Sequence, residues 1–242
     1  MSAESNEFCT PNSTPSHPKW TSWNYLRWKY LPAKMGGGRQ YLLAYKDSWI
    51  LFNKSRIHAA AKSAKIPTLL LAGVAWIEVG GDPDFIDSLV FPVRSFDWSG
   101  PGYIDNHFTV TRHPHKTSFG SVSIQLRRAA KTMGINLDDI DYKQQAKLCR
   151  CLQTDWFNLN VVAKHLHELI KYDFPDADSE NLTDVQIAIA GSRYNRGTER
   201  TLEDLFESLK ATPGTNTRQY TDYGRTILRH KERLFLLLMR GR

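Results

Sequence analysis

The strongest constraint on the fold is an apolar run that carries one carboxylate. The run covers residues 69–79, has the spacing of a helix, and is followed by two glycines, with Glu78 near its end. A carboxylate among buried apolar side chains costs free energy unless its charge is compensated. The sequence therefore predicts a buried helix over 67–79 and makes Glu78 the first candidate for chemistry.

Length and hydropathy allow a folded protein but predict no transmembrane segment. The 242 residues, 41% of them apolar, suffice for one large domain or two small ones. Glu78 interrupts the run over 66–79, and residues 234–239 give only six apolar side chains, so neither run should span a bilayer. Residues 1–18 are polar and lack the pattern of a secretory signal, so we expect synthesis in the cytoplasm without a signal peptide.

Three cysteines are present, at positions 9, 149 and 151, so they cannot all pair within the chain. On a helix, Cys149 and Cys151 would point in different directions. The sequence therefore predicts no disulfide framework and folding in a reducing compartment.

The net charge of +7 is unevenly distributed. Residues 1–65 carry ten Lys or Arg against three acids, and residues 218–242 carry seven against two, whereas the middle is acidic. Basic flanks favour an anionic partner such as a cell-wall polymer, a membrane surface or nucleic acid, but a solvated basic face gives the same count. The charge leaves both interpretations open.

Apolar spacing, together with the positions of Gly and Pro, predicts a mainly α (α+β) fold. The predicted helices cover residues 54–65, 67–79, 121–133, 141–153, 156–172, 183–194, 201–210 and 219–239. Short β-type runs over 88–111 predict a small hairpin or irregular lobe beside the helical core. We divide the chain into a flexible linker or boundary (1–20), an aromatic and basic extension packed on the main domain (21–53), and the main domain (54–242).

Four short motifs follow one another in a fixed order. They are Ala-Trp-Ile-Glu at 75–78, Ser-Phe-Gly at 118–120 with Gln125, Asn-Val-Val-Ala-Lys-His-Leu at 160–166, and Ile-Ala-Gly-Ser-Arg-Tyr-Asn-Arg-Gly at 189–197. Their order resembles that of the lysozyme-like superfamily, specifically goose-type lysozymes and soluble lytic transglycosylases, over roughly half of the chain. The resemblance implies a lysozyme-like helical domain with a small β or irregular lobe inserted after the catalytic helix.

The resemblance implies that Glu78 is the general acid of a peptidoglycan glycosidase. Such an acid must still be protonated near neutral pH to donate to the leaving oxygen. The apolar neighbours of Glu78 would desolvate its carboxyl group, which favours the protonated form. The alternative is a glutamate that only hydrogen-bonds backbone at a helix end, where the helix dipole disfavours it.

Four further residues are candidates for substrate binding. The resemblance places Tyr194 at a cleft wall and Asn195 near the reacting sugar, although an Asn before a Gly also ends helices. Ser118 is expected to cap the following helix, and Gln125 to lie two turns along that helix and reach the same cleft. Capping alone would explain Ser118 equally well.

Two departures from the family pattern affect the reaction. Val79 stands where many relatives have a Ser after the catalytic Glu, and about forty residues separate Glu78 from Ser118. This longer segment contains Asp97, which we select as the candidate second carboxylate that a hydrolase needs. The alternative is that Asp97 only starts the turn at 97–100. A lytic transglycosylase needs no second carboxylate, because the sugar's own 6-hydroxyl attacks.

The remaining features predict no metal and no cofactor. The histidine pairs at 113/115 and 165/167 lack a third ligand or a favourable helical spacing.

The tryptophans and tyrosines over 20–30 could stack on sugars or bases, but packing on the main domain is the simpler account. Residues 228–242 combine a leucine-rich run with five Arg or Lys, and could either close the core as the last helix or lie on a membrane.

Together these features predict a muramidase that cuts the MurNAc-GlcNAc backbone of peptidoglycan. The chain is similar to the cell-wall-degrading domains of secreted antibacterial toxins, including type VI secretion effectors, which implies action in the periplasm of a target cell and an immunity protein as partner. No nucleic acid is expected. The alternatives are a lytic transglycosylase that forms anhydro-muropeptides and, in another class, a non-catalytic module that binds glycan or nucleic acid.

Overall fold

The computed structural model of the chain describes residues 7–9, 15–80 and 114–240. The lobe that the sequence predicts over 88–111, including Asp97, lies outside the described residues. Within these ranges, no helix is both long and apolar enough to cross a bilayer.

The described residues are mainly helical, which confirms the predicted fold class. The α-helices are α1 (Ser22–Tyr30), α2 (Gly38–Ala64), α3 (Thr68–Glu78), α4 (Leu126–Thr132), α5 (Tyr142–Leu152), α6 (Asp155–Asp173), α7 (Asp184–Arg196), α8 (Leu202–Lys210), α9 (Asp222–Arg229) and α10 (Lys231–Met239). Short 3-10 helices cover Ala33–Met35, Pro114–Lys116, Leu137–Asp139 and Thr217–Thr221. In the described part of the chain, the only sheet is an antiparallel pair of β1 (Ser118–Phe119) and β2 (Ile124–Gln125).

Three of the predicted helices are wrong in part. The helix predicted over 121–133 begins only at Leu126, because the residues before it form the β1–β2 hairpin. The helix predicted over 219–239 is two helices that break at His230, whose ring packs on Trp76 with centroids 4.3 Å apart. The third is the helix predicted over 54–65, since α2 begins much earlier, at Gly38. The other predicted helices are present.

The structure divides into two compact units. The first combines the described residues of 1–45 with those of 78–158. Its core includes Trp20, Phe119, Leu126 and Leu148, which are all fully buried or nearly so. Helix α5 in this unit begins with a capping box, in which Asp141 accepts from the Gln144 amide at 2.7 Å and the Gln144 side chain accepts in return at 3.0 Å.

The second unit combines residues 46–77 with the described residues after 158. Ile227 of α9 is fully buried in its core. A methyl group added at Gly73 of α3 or Gly191 of α7 would lie 2.5 Å from the Ile227 side chain, so small residues let these helices approach closely.

A disulfide joins Cys9 to Cys151, 142 residues apart in sequence. The predicted absence of disulfides is therefore wrong. The spacing argument concerned Cys149 and Cys151, whereas the partner of Cys151 comes from the N-terminal segment. Cys149 is the free thiol, and burial raises its pKa to about 12.

Candidate functional site

Glu78 is the last residue of α3, which confirms the predicted helix that ends in a carboxylate. The helix is buried from Leu70 to Trp76, while Glu78 itself is half-buried. Buried residues flank Glu78 on both sides, with Leu70 to Trp76 before it and Val79 directly after it. A carboxyl group at this position is held by a rigid helix yet partly accessible, as a proton donor to substrate must be.

Lys46 of α2 holds the end of α3. Its ammonium donates to the carbonyl oxygens of Trp76 and Ile77, both at 2.8 Å. The last carbonyls of a helix have no partner within the helix, so a cation at this end stabilises it. Sequence reasoning missed Lys46, although a lysine three and four residues before the buried Trp49 and Ile50 stands on the apolar face of α2.

Trp76 is fixed by a second set of contacts. Its indole nitrogen donates to Asp47 at 2.9 Å, and the same carboxylate accepts from Arg233 Nε at 2.9 and 3.1 Å. Its ring also packs against His230. These contacts, with those of Lys46, leave the turn before Glu78 little freedom.

The chain that follows Glu78 turns sharply at Gly80. Gly80 has a φ of +73°, and a Cβ there would lie 2.9 Å from Leu42 and 3.3 Å from Tyr45. The left-handed conformation favours glycine, and the neighbouring side chains leave little space for a Cβ. The predicted stop at the glycines is therefore confirmed at Gly80.

Tyr45 in turn supports an N-terminal arm, which we define as residues 15–20. Its hydroxyl donates to the Pro18 carbonyl at 2.8 Å, and its ring lies 4.7 Å from Trp20 and 5.1 Å from His17. Trp20 is buried, so this part of the aromatic stretch packs on the fold. Tyr45 therefore contacts both the N-terminal arm and the backbone at Gly80, two residues after Glu78.

Asp155 holds the same arm from another helix. It accepts from the His17 amide at 3.2 Å and from the Ser121 hydroxyl at 3.0 Å. Burial lowers the pKa of His17 from its ordinary value of 6.5, although the Pro18 carbonyl and the Asp155 carboxylate act in the opposite direction. Asp155 therefore ties the arm to the β1–β2 hairpin.

Ser118 and Gln125 face each other across the β1–β2 hairpin as register partners. The prediction that Ser118 caps a helix and that Gln125 lies two turns along it is wrong. Phe119 and Ile124 are buried in alternation with the half-buried Ser118 and Gln125, a pattern of strands rather than of a helix. The structure thus brings the two candidates together, and Arg127 Nε donates to Oε1 of the Gln125 side chain at 2.9 Å.

Asn158 shapes the hairpin and was missed by sequence reasoning. It is fully buried, accepts from the Val122 amide at 2.9 Å, and donates to the Val122 carbonyl at 3.0 Å. The family pattern drew attention to Asn160 instead, which lies in the second turn of α6 because that helix begins at Asp155. The only signal that the sequence offered for Asn158 was its position two residues before Asn160.

Tyr194 and Asn195 lie in the last turn of α7, in the second unit. Tyr194 is buried at 7% exposure, whereas Asn195 is exposed. The helix ends at Gly197, which has a φ of +80°, so the predicted helix end is confirmed. Asn195 alone of the two presents its side chain to solvent.

A buried ion pair fixes this end of α7. Arg193 donates to both carboxylate oxygens of Asp173 at 2.7 Å, and also to the Arg200 carbonyl at 2.7 Å. Both side chains are almost fully buried. A bidentate, fully hydrogen-bonded pair of this kind holds its helix in one orientation.

Aromatic rings surround Tyr194. Its ring lies 6.1 Å from His165 and 6.3 Å from Tyr223, and the Tyr223 hydroxyl donates to the Val74 carbonyl of α3 at 3.4 Å. His165 also lies 3.4 Å from Glu168. Within the second unit, Tyr194 is therefore part of an aromatic cluster that contacts α3.

The candidate residues thus divide between the units. Glu78, Ser118 and Gln125 belong to the first unit, and Tyr194 and Asn195 to the second. Among the described residues, no group of three His, Cys, Asp or Glu side chains is arranged to hold a metal ion.

In the comparisons with known proteins, no family model, no curated protein and no solved structure matches the chain. The functional argument therefore depends on the residues themselves.

Proposed function

We propose that this protein is a peptidoglycan glycosidase that cleaves the MurNAc-GlcNAc backbone with Glu78 as general acid. The observation that carries the proposal is the position of Glu78, half-buried at the end of a helix that is buried from Leu70 to Trp76 and held by Lys46. The order of the four motifs around it, which resembles that of lysozyme-like enzymes, supports the same assignment.

In the proposed reaction, the protonated Glu78 donates its proton to the oxygen of the bond that breaks. The leaving sugar departs as an alcohol, and positive charge develops at the anomeric carbon of the other sugar. Water then attacks that carbon in a hydrolase, and the sugar's own 6-hydroxyl attacks in a lytic transglycosylase. The ionised Glu78 accepts the proton of the attacking group in a transglycosylase or a retaining hydrolase, whereas in an inverting hydrolase the second carboxylate accepts the proton of the water.

Ser118, Gln125, Tyr194 and Asn195 are proposed to bind the sugars. Ser118 and Gln125 are cross-strand partners, so a hydroxyl and an amide stand side by side, and these groups suit the hydroxyl and acetamido groups of the glycan. Asn195 is exposed and offers a second amide. Tyr194 is the least exposed of the four.

Asp97 is the proposed second carboxylate of a hydrolase. An inverting enzyme needs its two carboxyl groups about 6.5–9.5 Å apart, and a retaining one about 5–5.5 Å. An Asp97→Asn variant tests this role. A hydrolase that uses Asp97 should lose most of its activity, whereas a transglycosylase should lose little.

We further propose an antibacterial effector that acts in the periplasm of a target cell, with an immunity protein as its partner. The Cys9–Cys151 disulfide supports action in an oxidising compartment, because such bonds persist there and are reduced in the cytosol. A producing cell that tolerates periplasmic targeting of the protein without any protective partner would contradict this proposal.

The experiment that tests the function compares three proteins on purified cell walls. Wild type and a Glu207→Gln control, which removes an exposed carboxylate from α8, should both clear the suspension. Glu78→Gln should bind the walls in a sedimentation assay but fail to clear them. If no protein clears the walls and all of them bind, the chain is a binding module and the proposal is wrong.

A further inference from the structure

Helix α10 carries large apolar side chains on two faces. Leu234, Leu237 and Leu238 are buried, whereas Phe235 and Leu236 are 59% and 66% exposed. Met239 follows Phe235 by four residues and is also exposed. With 3.6 residues per turn, Phe235, Leu236 and Met239 form one stripe about 100° wide. A surface helix in water normally places polar residues there.

This stripe forms one wall of a groove of about 750 Å³. The other wall comes from the junction of α2 and α3, where His58, Thr68 and Leu69 line the groove. All of these residues belong to the second unit. The groove is thus a continuous apolar surface on that unit, of the kind that marks an interaction site.

Lysines lie at and beside the groove. Lys231 lines it. Lys54 and Lys62 stand one helical turn on either side of His58, which also lines the groove, and Lys65 follows directly after α2. Lys54 is fixed beside the end of α10, because its ammonium donates to the Arg240 carbonyl at 2.6 Å.

Acidic groups are few at the same edges. Residues 48–64 of α2 contain no Asp or Glu. Glu232 is the one acid that lines the groove, and Asp184 pairs with Lys231 at 2.6 Å. The groove therefore combines an apolar floor with a positively charged margin.

We propose that this face binds an anionic lipid bilayer. Phe235, Leu236 and Met239 enter the boundary between head groups and acyl chains, while Lys62 and Lys65 contact lipid phosphates. A second copy of the chain would bring the same cations opposite one another, so charge disfavours self-association through this face. An anionic bilayer satisfies both the apolar stripe and the cations.

The test measures sedimentation of the purified protein with vesicles. The wild type should bind vesicles that contain phosphatidylglycerol, bind pure phosphatidylcholine vesicles much more weakly, and lose binding as salt is added. Equal binding to both vesicle types, or none to either, overturns the proposal. A dimer in sedimentation equilibrium that depends on Phe235 would also overturn it, in favour of a second copy.

Two matched pairs of variants locate the surface. Phe235→Ser/Leu236→Ser should weaken binding by about tenfold or more, whereas Leu26→Ser/Met35→Ser, which removes two exposed apolar side chains of the first unit, should not. Lys62→Glu/Lys65→Glu should weaken binding similarly, whereas Lys164→Glu/Lys210→Glu should have a much smaller effect. All of these side chains are exposed, so circular dichroism should show folded protein throughout. If test and control variants behave alike, the proposed surface is wrong. Binding of an acidic protein that competes with the vesicles and is lost in the same variants would also count against the bilayer.

Discussion

Asn158 forms two hydrogen bonds with one residue, Val122: it accepts from the amide at 2.9 Å and donates to the carbonyl at 3.0 Å. Its side chain thereby replaces the backbone partner that the hairpin turn lacks. The turn joins Phe119 to Ile124, so one buried amide determines how Ser118 and Gln125 face each other.

Replacing Asn158 by Ala should destabilise the protein by about 2–4 kcal/mol, because two buried backbone groups lose their partner. Denaturant unfolding measures the change. Asn216→Ala is the control, since Asn216 is exposed and its side chain makes no cap hydrogen bond, and it should change the free energy by no more than about 0.5 kcal/mol. Equal effects of the two variants would show that Asn158 does not hold the hairpin.

Gly120 and Gly134 form a natural pair for a second prediction. Both have positive φ. A Cβ at Gly120 would lie 2.3 Å from Nδ2 of the Asn158 side chain and 2.4 Å from the backbone oxygen of Leu152. A Cβ at Gly134 would meet nothing within 4 Å. Gly134→Ala should cost about 1–2 kcal/mol from conformation alone. Gly120→Ala should cost about 1–3 kcal/mol more. Thermal or urea unfolding of the two variants gives the difference, and no difference would contradict the close contact.

The Cys9–Cys151 disulfide should be visible by thiol counting. In the native protein, the buried Cys149 thiol, with its pKa of about 12, should not react at mildly alkaline pH. Unfolding without reductant should release one reactive thiol, and unfolding with reductant three. Three reactive thiols without reductant would mean that the bond is absent.

Removing the disulfide should also cost stability. Cys9→Ser should lower the free energy of unfolding by about 2–5 kcal/mol, because the bond closes a long loop in the unfolded chain. With reductant present, wild type and Cys9→Ser should unfold alike. A difference that persists in reductant would assign the effect to the serine rather than to the bond.

The lowered pKa of His17 should make the free energy of unfolding depend on pH. Burial lowers its pKa in the folded protein below the ordinary value of 6.5, so the folded state resists protonation while the unfolded state accepts it. The contribution of His17 is therefore fully present above 6.5 and is lost as the pH falls below it. Urea unfolding on both sides of 6.5 should show a steeper loss for wild type than for His17→Gln. Identical slopes would contradict the assignment.

Many of the helices could be predicted from the sequence, because the spacing of apolar residues in a long amphipathic segment shows which face is buried. Helices α5 and α6 begin and end within one residue of the prediction. The break at His230 was not predicted, because no Gly or Pro marks it in the sequence.

The candidate site was predictable only where it is local. The end of α3 at Glu78 followed from an apolar run and a glycine stop. The hairpin did not, because its strands are two residues long and its turn is held by Asn158, 36 residues further along the chain. The role of Lys46 and the Cys9–Cys151 bond could not be predicted for the same reason, because each depends on a partner that is distant in sequence.

The measurement that tests the central claim most directly is mass spectrometry of the products released from purified peptidoglycan by wild type, Glu78→Gln and Glu207→Gln. We expect wild type and Glu207→Gln to release the same muropeptides and Glu78→Gln to release none. Reducing ends among them would indicate a hydrolase, and anhydro ends a lytic transglycosylase. Equal release by Glu78→Gln, or no release by wild type, would contradict the assignment of Glu78 as the general acid.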